Sequence, residues 1–338
     1  MKKQTNNILK IILFLGLGGL FVWLSIRNIS QQQRHDIITA IKQADHRFVF
    51  LSFLIGIPSH YFRAVRWKIL LAPLNHYPKT SNTFFAVMVG YWANLAVPRL
   101  GEVSRCAMLN RHEKIPFTEG FGSVIAERAF DLLCLILIFF LALFMEFDKI
   151  YGIADHLILT PFAEKYHKLL QQQLLLIIVV VLLVIISGTF FYFRKKLKDI
   201  FSTKVRAFVT GLWEGLIGIK NVKQPVWFIG TTVLIWLMYI LQAYVCFFAF
   251  PGTATLPFMA AMVIMVFGSL GVIVSPGGIG AYQAILIPIL ISAYAVAEPQ
   301  ANAFAWVVWA AQIALMLVLG PISFALLSLL NKKNKATE

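Results

Sequence analysis

The sequence predicts an all-α, polytopic membrane protein. Three observations carry that reading. Of 338 residues, 59% are hydrophobic and only 13% charged, where a soluble domain carries about a quarter charged. No Asp, Glu, Lys or Arg occurs among the 74 residues from 224 to 297. Several apolar runs also reach the roughly 20 residues needed to cross a bilayer. About six to eight spanning helices are expected, with two re-entrant or broken hairpins in inverted-topology repeats. The net charge of +15 reads as the Lys/Arg excess of cytoplasmic loops, not as a nucleic-acid surface. Cys106, Cys134 and Cys246 lie far apart, in or beside apolar segments, and read as buried small hydrophobes without a disulfide framework.

The apolar segments fall at about 8–26, 48–72, 82–97, 117–145, 170–193, 224–250, 256–274, 281–297 and 302–330. The first follows Met1-Lys2-Lys3 and resembles a signal peptide. With only Arg27-Asn28-Ile29-Ser30 after it and no small-x-small cleavage site, it reads as a retained first helix. Residues 28–47 are polar with Ile37, Ile38 and Ile41 at helical spacing, which predicts a short helix lying at the membrane surface. Residues 146–168 carry mixed charge, and 194–223 form the most basic stretch.

Two places interrupt the helical pattern, Asn94-Leu95-Ala96-Val97-Pro98-Arg99-Leu100-Gly101-Glu102 and Ser275-Pro276-Gly277-Gly278-Ile279-Gly280. Pro removes a backbone donor and Gly admits left-handed backbone. Such backbone survives at membrane depth only where protein buries it or it lines a wet cavity. If each break is the tip of a hairpin returning to its own side, the stretches 1–10, 63–80, 105–119, 194–223 and 331–338 face the cytoplasm. They hold 21 Lys and Arg, against 7 in the external stretches 27–47 and 146–168. Both termini are then cytoplasmic by the positive-inside rule. The chain reads as one transmembrane domain, 1–338, with a first repeat over about 8–146 and a second over about 170–330. Each arm of the second hairpin is nearly long enough to span, so the depth of Gly277-Gly278 stays open at this point.

Charged residues inside membrane segments cost about 2.5–3.5 kcal/mol each on the insertion scale and are usually functional. Arg99, Glu102 and Arg105 follow the first break, while Glu127, Arg128 and Asp131 share the next segment. Three acids and three bases could neutralise one another if the hairpin packs on that helix. Two compatible readings follow: a buried ion network of Glu102, Glu127 and Asp131 with their arginines, or a cavity where Arg99, Arg105 and Arg128 receive an anionic head group. Guanidinium suits phosphate bidentately. Pro276-Gly277-Gly278-Ile279-Gly280 precedes a helix starting near Ala281, where backbone N–H groups could approach an anion; a plain tight turn fits equally well. Arg63, Arg66, Trp67 and Lys68 close the second crossing and read as interfacial anchors or, alternatively, as guides for lipid head groups, and Trp306, Trp309 and Gln312 as packing or belt residues. The seven histidines form no metal-ligand spacing, and no hydrolase or nucleotide P-loop motif is present, so no metal and no cofactor is expected.

The run Asn94-x3-Pro98-Arg99-x-Gly101-Glu102-x2-Arg105, then Glu127-Arg128-x2-Asp131, then Pro276-Gly277-Gly278-Ile279-Gly280 resembles the transmembrane domain of lysylphosphatidylglycerol synthases. These are flippase-like membrane proteins of bacteria and archaea. The resemblance covers about 8–330. It implies a multi-helix protein of the bacterial inner (cytoplasmic) membrane that moves lipids between leaflets. The full synthase adds a soluble aminoacyl-transferase domain, which nothing after the last apolar segment here matches, so an aminoacyl-transfer activity is not implied. The family often has an acid shortly after the glycine motif, where this chain has Gln283. The expected function is a lipid translocase and not an enzyme, binding an anionic phospholipid or polyprenyl phosphate through Asn94, Arg99, Arg105, Arg128, Gly277, Gly278 and Gly280. The expected partners besides lipid are a second copy or a biosynthetic enzyme, and not nucleic acid. The rival readings are an intramembrane enzyme acting on lipid phosphates and a non-transporting partner subunit.

Overall fold

The computed structural model describes residues 30–97, 99–154 and 222–335. The expected crossings at 8–26 and 170–193 lie outside the described residues. So does the basic stretch 194–223, save its last two residues. Ten helices are described: α1 Gln31–Gln43, α2 His46–Leu71, α3 Thr80–Ala96, α4 Leu100–Glu113, α5 Phe117–Met145, α6 Phe147–Ala154, α7 Pro225–Phe247, α8 Phe258–Val274, α9 Ala281–Tyr294 and α10 Glu298–Lys335. Four of them, α2, α5, α7 and α10, are long and apolar enough to cross a membrane. Their outward faces stay apolar. Phe50, Leu137, Phe140, Phe144, Val226 and Leu329 are all exposed, as expected where lipid is the solvent. The chain is a polytopic helical membrane protein.

Local chemistry sets the helix starts. Ser30 caps α1 in a reciprocal capping box with Gln33. Ala40 and Ile41 turn its apolar side onto the core, and Gln33 Nε2 donates to Glu298 Oε2 at 3.2 Å. A short helix is what the polar 28–47 segment predicts. Asp45 caps α2 through Arg47 N–H, and its own N–H donates to the Ala249 carbonyl at 2.9 Å. The start of α2 therefore lies beside the end of α7. At the other end Ile69 and Leu70 pack with Val222 and Phe228, so α2 and α7 run antiparallel along each other.

The four shorter helices form two hairpins of matching build. In the first, α3 has 17 residues and α4 has 14; in the second, α8 has 17 and α9 has 14. At about 1.5 Å per residue these arms are roughly 26 and 21 Å long, short of the ~30 Å hydrocarbon core. Each hairpin is rooted at a different end of the bundle. Lys79 N–H and Asn82 Nδ2 both donate to Glu113 Oε1, closing the base of the first. Nearby, Lys68 Nζ donates to Thr80 Oγ1 and Lys223 Nζ to Tyr77 OH. The second hairpin is rooted at the opposite end, where Gly252 N–H donates to Gln300 Oε1 and the Lys149 ammonium lies 4.6 Å above the Tyr294 ring.

Glycine lets the arms close. A Cβ on Gly101 would strike the Gly90 carbonyl oxygen and the Asn94 side chain; one on Gly271 would sit 2.7 Å from Tyr282 Cα. The tips then meet. A Cβ on Gly277 would lie 3.1 Å from Leu95 Cδ2 of the first hairpin, and Trp309 Nε1 donates to the Gly277 carbonyl at 2.8 Å. Trp309 comes eleven residues after Glu298, about 17 Å down α10. The second break therefore lies part-way along α10, and its two arms, each shorter than a ~30 Å core, fit a re-entrant hairpin. The four arms read as inverted repeats, one hairpin from each end, meeting at their tips.

Candidate functional site

Four arginines and three acids gather beside the first hairpin. Their partners differ from those the sequence suggests. Glu127, fully buried on α5, takes three arginines: Arg63 Nη1 at 2.7 Å, Arg66 Nη2 at 3.3 Å and Arg105 Nη2 at 2.8 Å. Asp131, one helical turn on, accepts from Arg63 and Arg66, each at 2.6 Å. Arg128 Nε lies 3.5 Å from Glu102 Oε1. Arg63 Nη2 reaches Tyr239 OH and Arg66 Nη1 reaches Thr232 Oγ1, both on α7. Arg105 stacks on Trp67, its guanidinium carbon 4.5 Å from the ring centroid, and Trp67 Nε1 donates to Ser123 Oγ at 2.8 Å. Helices α2, α4, α5 and α7 are thus tied by one set of charges.

Three sequence expectations change here. Arg63, Arg66 and Trp67 are not interfacial anchors, being 4%, 0% and 0% exposed. Apolar residues on both sides in the sequence hid this, because an arginine near the end of a long helix looks the same whether it snorkels or turns inward. The one available signal is spacing: residues 63 and 66 are three apart and so share a helix face, as 127 and 131 do. Secondly, Arg63, Arg66 and Arg105 leave the tally of cytoplasmic Lys and Arg, which becomes 18 against 7. The bias keeps its direction. Thirdly, the cluster is not three against three. Arg99 stays exposed and takes part in none of these pairs, so among the described residues the balance is four to three, one positive charge in excess.

The other expected site residues fall at the two breaks. Asn94 Oδ1 accepts from Gly101 N–H at 2.7 Å, which caps α4 across the break. Arg99 is the residue just before α4 and holds left-handed backbone, φ 66°. In the second break Gly277, Gly278 and Gly280 all have positive φ, between 61° and 76°; only glycine takes such angles freely. Gly278 N–H donates to the Ser275 carbonyl at 2.9 Å, and Ser275 Oγ to the Ile279 carbonyl at 3.0 Å. The polar groups of this turn thus largely satisfy one another.

A cavity of about 380 Å³ opens above the charge cluster, between the hairpins and the long helices. Its floor is polar: His60, Arg63, Tyr91, Arg128 and Asp131. Its walls combine Leu132, Leu135, Trp236, Ile264 and Met265 with the neutral polar groups of Tyr239, Gln242, Ser269, Tyr282 and Gln312. It meets the outside of the bundle at Arg128, whose side chain is 39% exposed, and at Val272 and Ile273. Of the expected site residues, Arg128 and Asp131 line this cavity; Asn94, Arg99, Arg105 and the three glycines do not. His60, Tyr91, Tyr239 and Gln242 were missed by sequence reasoning, while Arg63 takes the inward place that a head-group role, the alternative to anchoring, requires. Single polar residues within apolar helices were the signal that could have found them.

Paired half-helices rooted at opposite ends, with a polar cavity between them, define an integral membrane protein built on inverted hairpins. The chain belongs to the family described as the lysylphosphatidylglycerol synthase TM region, whose model matches residues 7–320. It is also similar to a UPF0104 membrane protein of Methanothermobacter thermautotrophicus, 24% identical over 81% of this chain and 83% of that one. A UPF0104 membrane protein of Methanocaldococcus jannaschii is 26% identical over 39% of this chain and 38% of its own length. Glycosyltransferase AglD of Haloferax volcanii is 29% identical over 29% of this chain, and the match spans only 16% of that protein. No solved structure matches the chain.

Proposed function

We propose that the protein carries an anionic lipid between the leaflets of the membrane, with the lipid phosphate on the arginine floor of the central cavity. One observation carries this reading. The buried cluster holds one more arginine than acid, and two of its arginines, Arg63 and Arg128, line the cavity. An uncompensated charge removed from water costs several kcal/mol. A phosphate seated on Arg63 and Arg128 would offset that cost. Arg63 Nε is buried with no hydrogen-bond partner among the described residues, which leaves it a donor to give, and guanidinium groups bind phosphate oxygens in pairs.

The apolar part of the lipid has an exit. Val272 and Ile273 line the cavity and are also exposed on the flank of the bundle. Chains leaving there stay in hydrocarbon while the head group sits inside. The hairpins supply the moving parts: two short, separately rooted units meeting at their tips, where a small tilt of either opens the cavity to the side on which that hairpin is rooted. Purified protein in liposomes holding a chain-labelled fluorescent phosphatidylglycerol tests the reading. A membrane-impermeant quencher should reach the inner-leaflet probe at least about tenfold faster than without protein, a change worth roughly 1.4 kcal/mol in barrier height. A rate equal to that of empty liposomes removes transport. Recovery of a chemically altered lipid would instead make the cavity an enzyme site.

A further inference from the structure

We infer that the lipid taken by the central cavity is a phosphodiester whose head group is an uncharged polyol or sugar. The inference rests on the lipid-carrier reading and narrows it to a substrate class. The first ground is charge. With His60 counted as neutral, the cluster of Arg63, Arg66, Arg105, Arg128, Glu102, Glu127 and Asp131 has a single positive charge in excess. One negative charge balances it. A phosphodiester carries one, whereas a phosphate monoester carries about −1.5 to −2 at neutral pH. A monoester would leave the site over-neutralised.

The second ground is what faces the head group beyond its phosphate. Asp131 is the one acid lining the cavity among the described residues, and each of its oxygens is held by an arginine at 2.6 Å. An ammonium on the head group would find Arg63 and Arg128 beside it and no free carboxylate in the lining; Glu102, whose Oε2 has no partner among the described residues, stands behind Arg128 and outside the lining. The lining otherwise offers neutral hydrogen-bonding groups: His60, Tyr91, Tyr239, Gln242, Ser269, Tyr282 and Gln312. His60 is 6% exposed and its Nδ1 has no partner among the described residues. A buried polar atom left unpaired is costly, and a hydroxyl can serve it as donor or acceptor, whichever tautomer is present. Trp236 and Tyr91 add aromatic surface of the kind on which the C–H faces of a sugar ring pack. Hydroxyls against neutral donors and acceptors, with one phosphate against one spare arginine charge, complete the set.

Two sources share this chemistry, a glycerol-headed phospholipid and a polyprenyl phosphate esterified to a sugar. The test uses the full chain in neutral phosphatidylcholine liposomes containing one chain-labelled lipid at a time. The lipids are phosphatidylglycerol, a polyprenyl phosphoryl monosaccharide, phosphatidylethanolamine and phosphatidic acid. Transfer of either polyol diester should exceed that of phosphatidylethanolamine and phosphatidic acid by at least about tenfold. Which of the two diesters moves faster assigns the source. Equal transfer of phosphatidylethanolamine, or faster transfer of phosphatidic acid, overturns the substrate class while leaving lipid transport standing. No transfer of any of the four overturns both. A variant separates charge from head-group reading. Gln242→Leu keeps every charge and removes a neutral polar group, along with its hydrogen bond to the Ser52 carbonyl at 3.2 Å, so transfer is compared at equal amounts of folded protein, and the preference for polyol head groups over phosphatidylethanolamine should fall. An unchanged preference means that the neutral lining does not read the head group.

Discussion

Trp309 on α10 donates from Nε1 to the Gly277 carbonyl at 2.8 Å, and so holds the tip of the second hairpin against the longest helix. Gly277 adopts φ 61°, which frees its carbonyl from helical pairing. At this depth there is no water to replace a lost partner. Trp309→Phe keeps the ring and removes the donor. The expected cost is about 1–3 kcal/mol, the penalty of an unpaired buried acceptor, read as a lower thermal midpoint in detergent. A midpoint unchanged from the parent would show that the tip does not depend on this contact.

The buried charges make a sharper prediction. Arg66 is fully buried between Glu127 and Asp131, so Arg66→Gln leaves two carboxylates facing only Arg63 and Arg105. Breaking a buried ion pair from one side costs about 3–5 kcal/mol. In that variant Asp131 Oδ1 has lost its partner while Arg63 still holds Oδ2, so Asp131→Asn should cost less in the Arg66→Gln background than in the parent. If the two effects simply add, the residues are not coupled. The natural partner of Arg128, by contrast, is Glu102 and not Asp131, although 128 and 131 share a helix face. Coupling with Arg128 should therefore appear in Glu102→Gln and be weaker in Asp131→Asn.

How much of this was legible in the sequence differs by feature, for a physical reason in each case. The helices declared themselves because a bilayer demands long apolar runs, and both breaks did because Pro98 removes a backbone donor beside Gly101 and three glycines crowd into residues 277–280, which together disfavour a helix. The acids Glu127 and Asp131 stood out against an apolar segment. Their partners did not. Arg63 and Arg66 lie in a stretch containing Trp67 and Lys68, the usual company of an interface, and only tertiary packing turns them inward. Asn94 was read as a ligand of lipid phosphate; its side-chain oxygen is engaged by Gly101 N–H, a role fixed by a turn whose geometry a sequence does not display. The cavity itself draws on α2, α3, α5, α7, α8, α9 and α10, and no local pattern reports a contact among seven helices.

The first hairpin closes on bare backbone. Gly90 and Gly101 face each other so closely that a methyl group on Gly101 would meet the Gly90 carbonyl oxygen and the Asn94 amide. Gly101→Ala should therefore cost about 1–3 kcal/mol, the usual range for overpacking, and should loosen the Asn94 cap with it. Gly122 is the control, since a Cβ there meets nothing within 4 Å among the described residues. Gly122→Ala, in the helical interior of α5, should be neutral or gain up to about 1 kcal/mol. Thermal unfolding of the two variants side by side checks both; equal midpoints would mean that the arms are not in contact.

Topology can be read by labelling. The described ends of the bundle separate Ser30 and Tyr151 from Tyr77 and Arg111, and all four are exposed. The Lys and Arg bias assigns the first pair to the outside. In a variant lacking the three native cysteines, a cysteine placed at 30 or 151 should react with an impermeant maleimide on intact cells. One at 77 or 111 should react only after permeabilisation. The reverse pattern would invert the protein and put the first hairpin outside.

Arg99 and Arg128 invite a direct comparison, because both stand in the motifs that mark the family resemblance. Arg99 is exposed, lies outside the cavity lining and carries left-handed backbone at φ 66°. A non-glycine residue there costs about 1–2 kcal/mol of strain. Arg99→Gly relieves the strain while removing the charge, so it should raise thermal stability by about 1 kcal/mol and leave leaflet transfer within about twofold of the parent, or roughly 0.4 kcal/mol. Arg128 lines the cavity with its side chain 39% exposed and its acid partner 3.5 Å away. Arg128→Gln deletes the excess positive charge without stranding a fully buried acid, since Glu102 is itself part exposed. Stability should change little, and transfer of an anionic lipid should fall at least about tenfold. If instead Arg99→Gly abolishes transfer and Arg128→Gln spares it, the phosphate is met at the hairpin tip and not in the cavity.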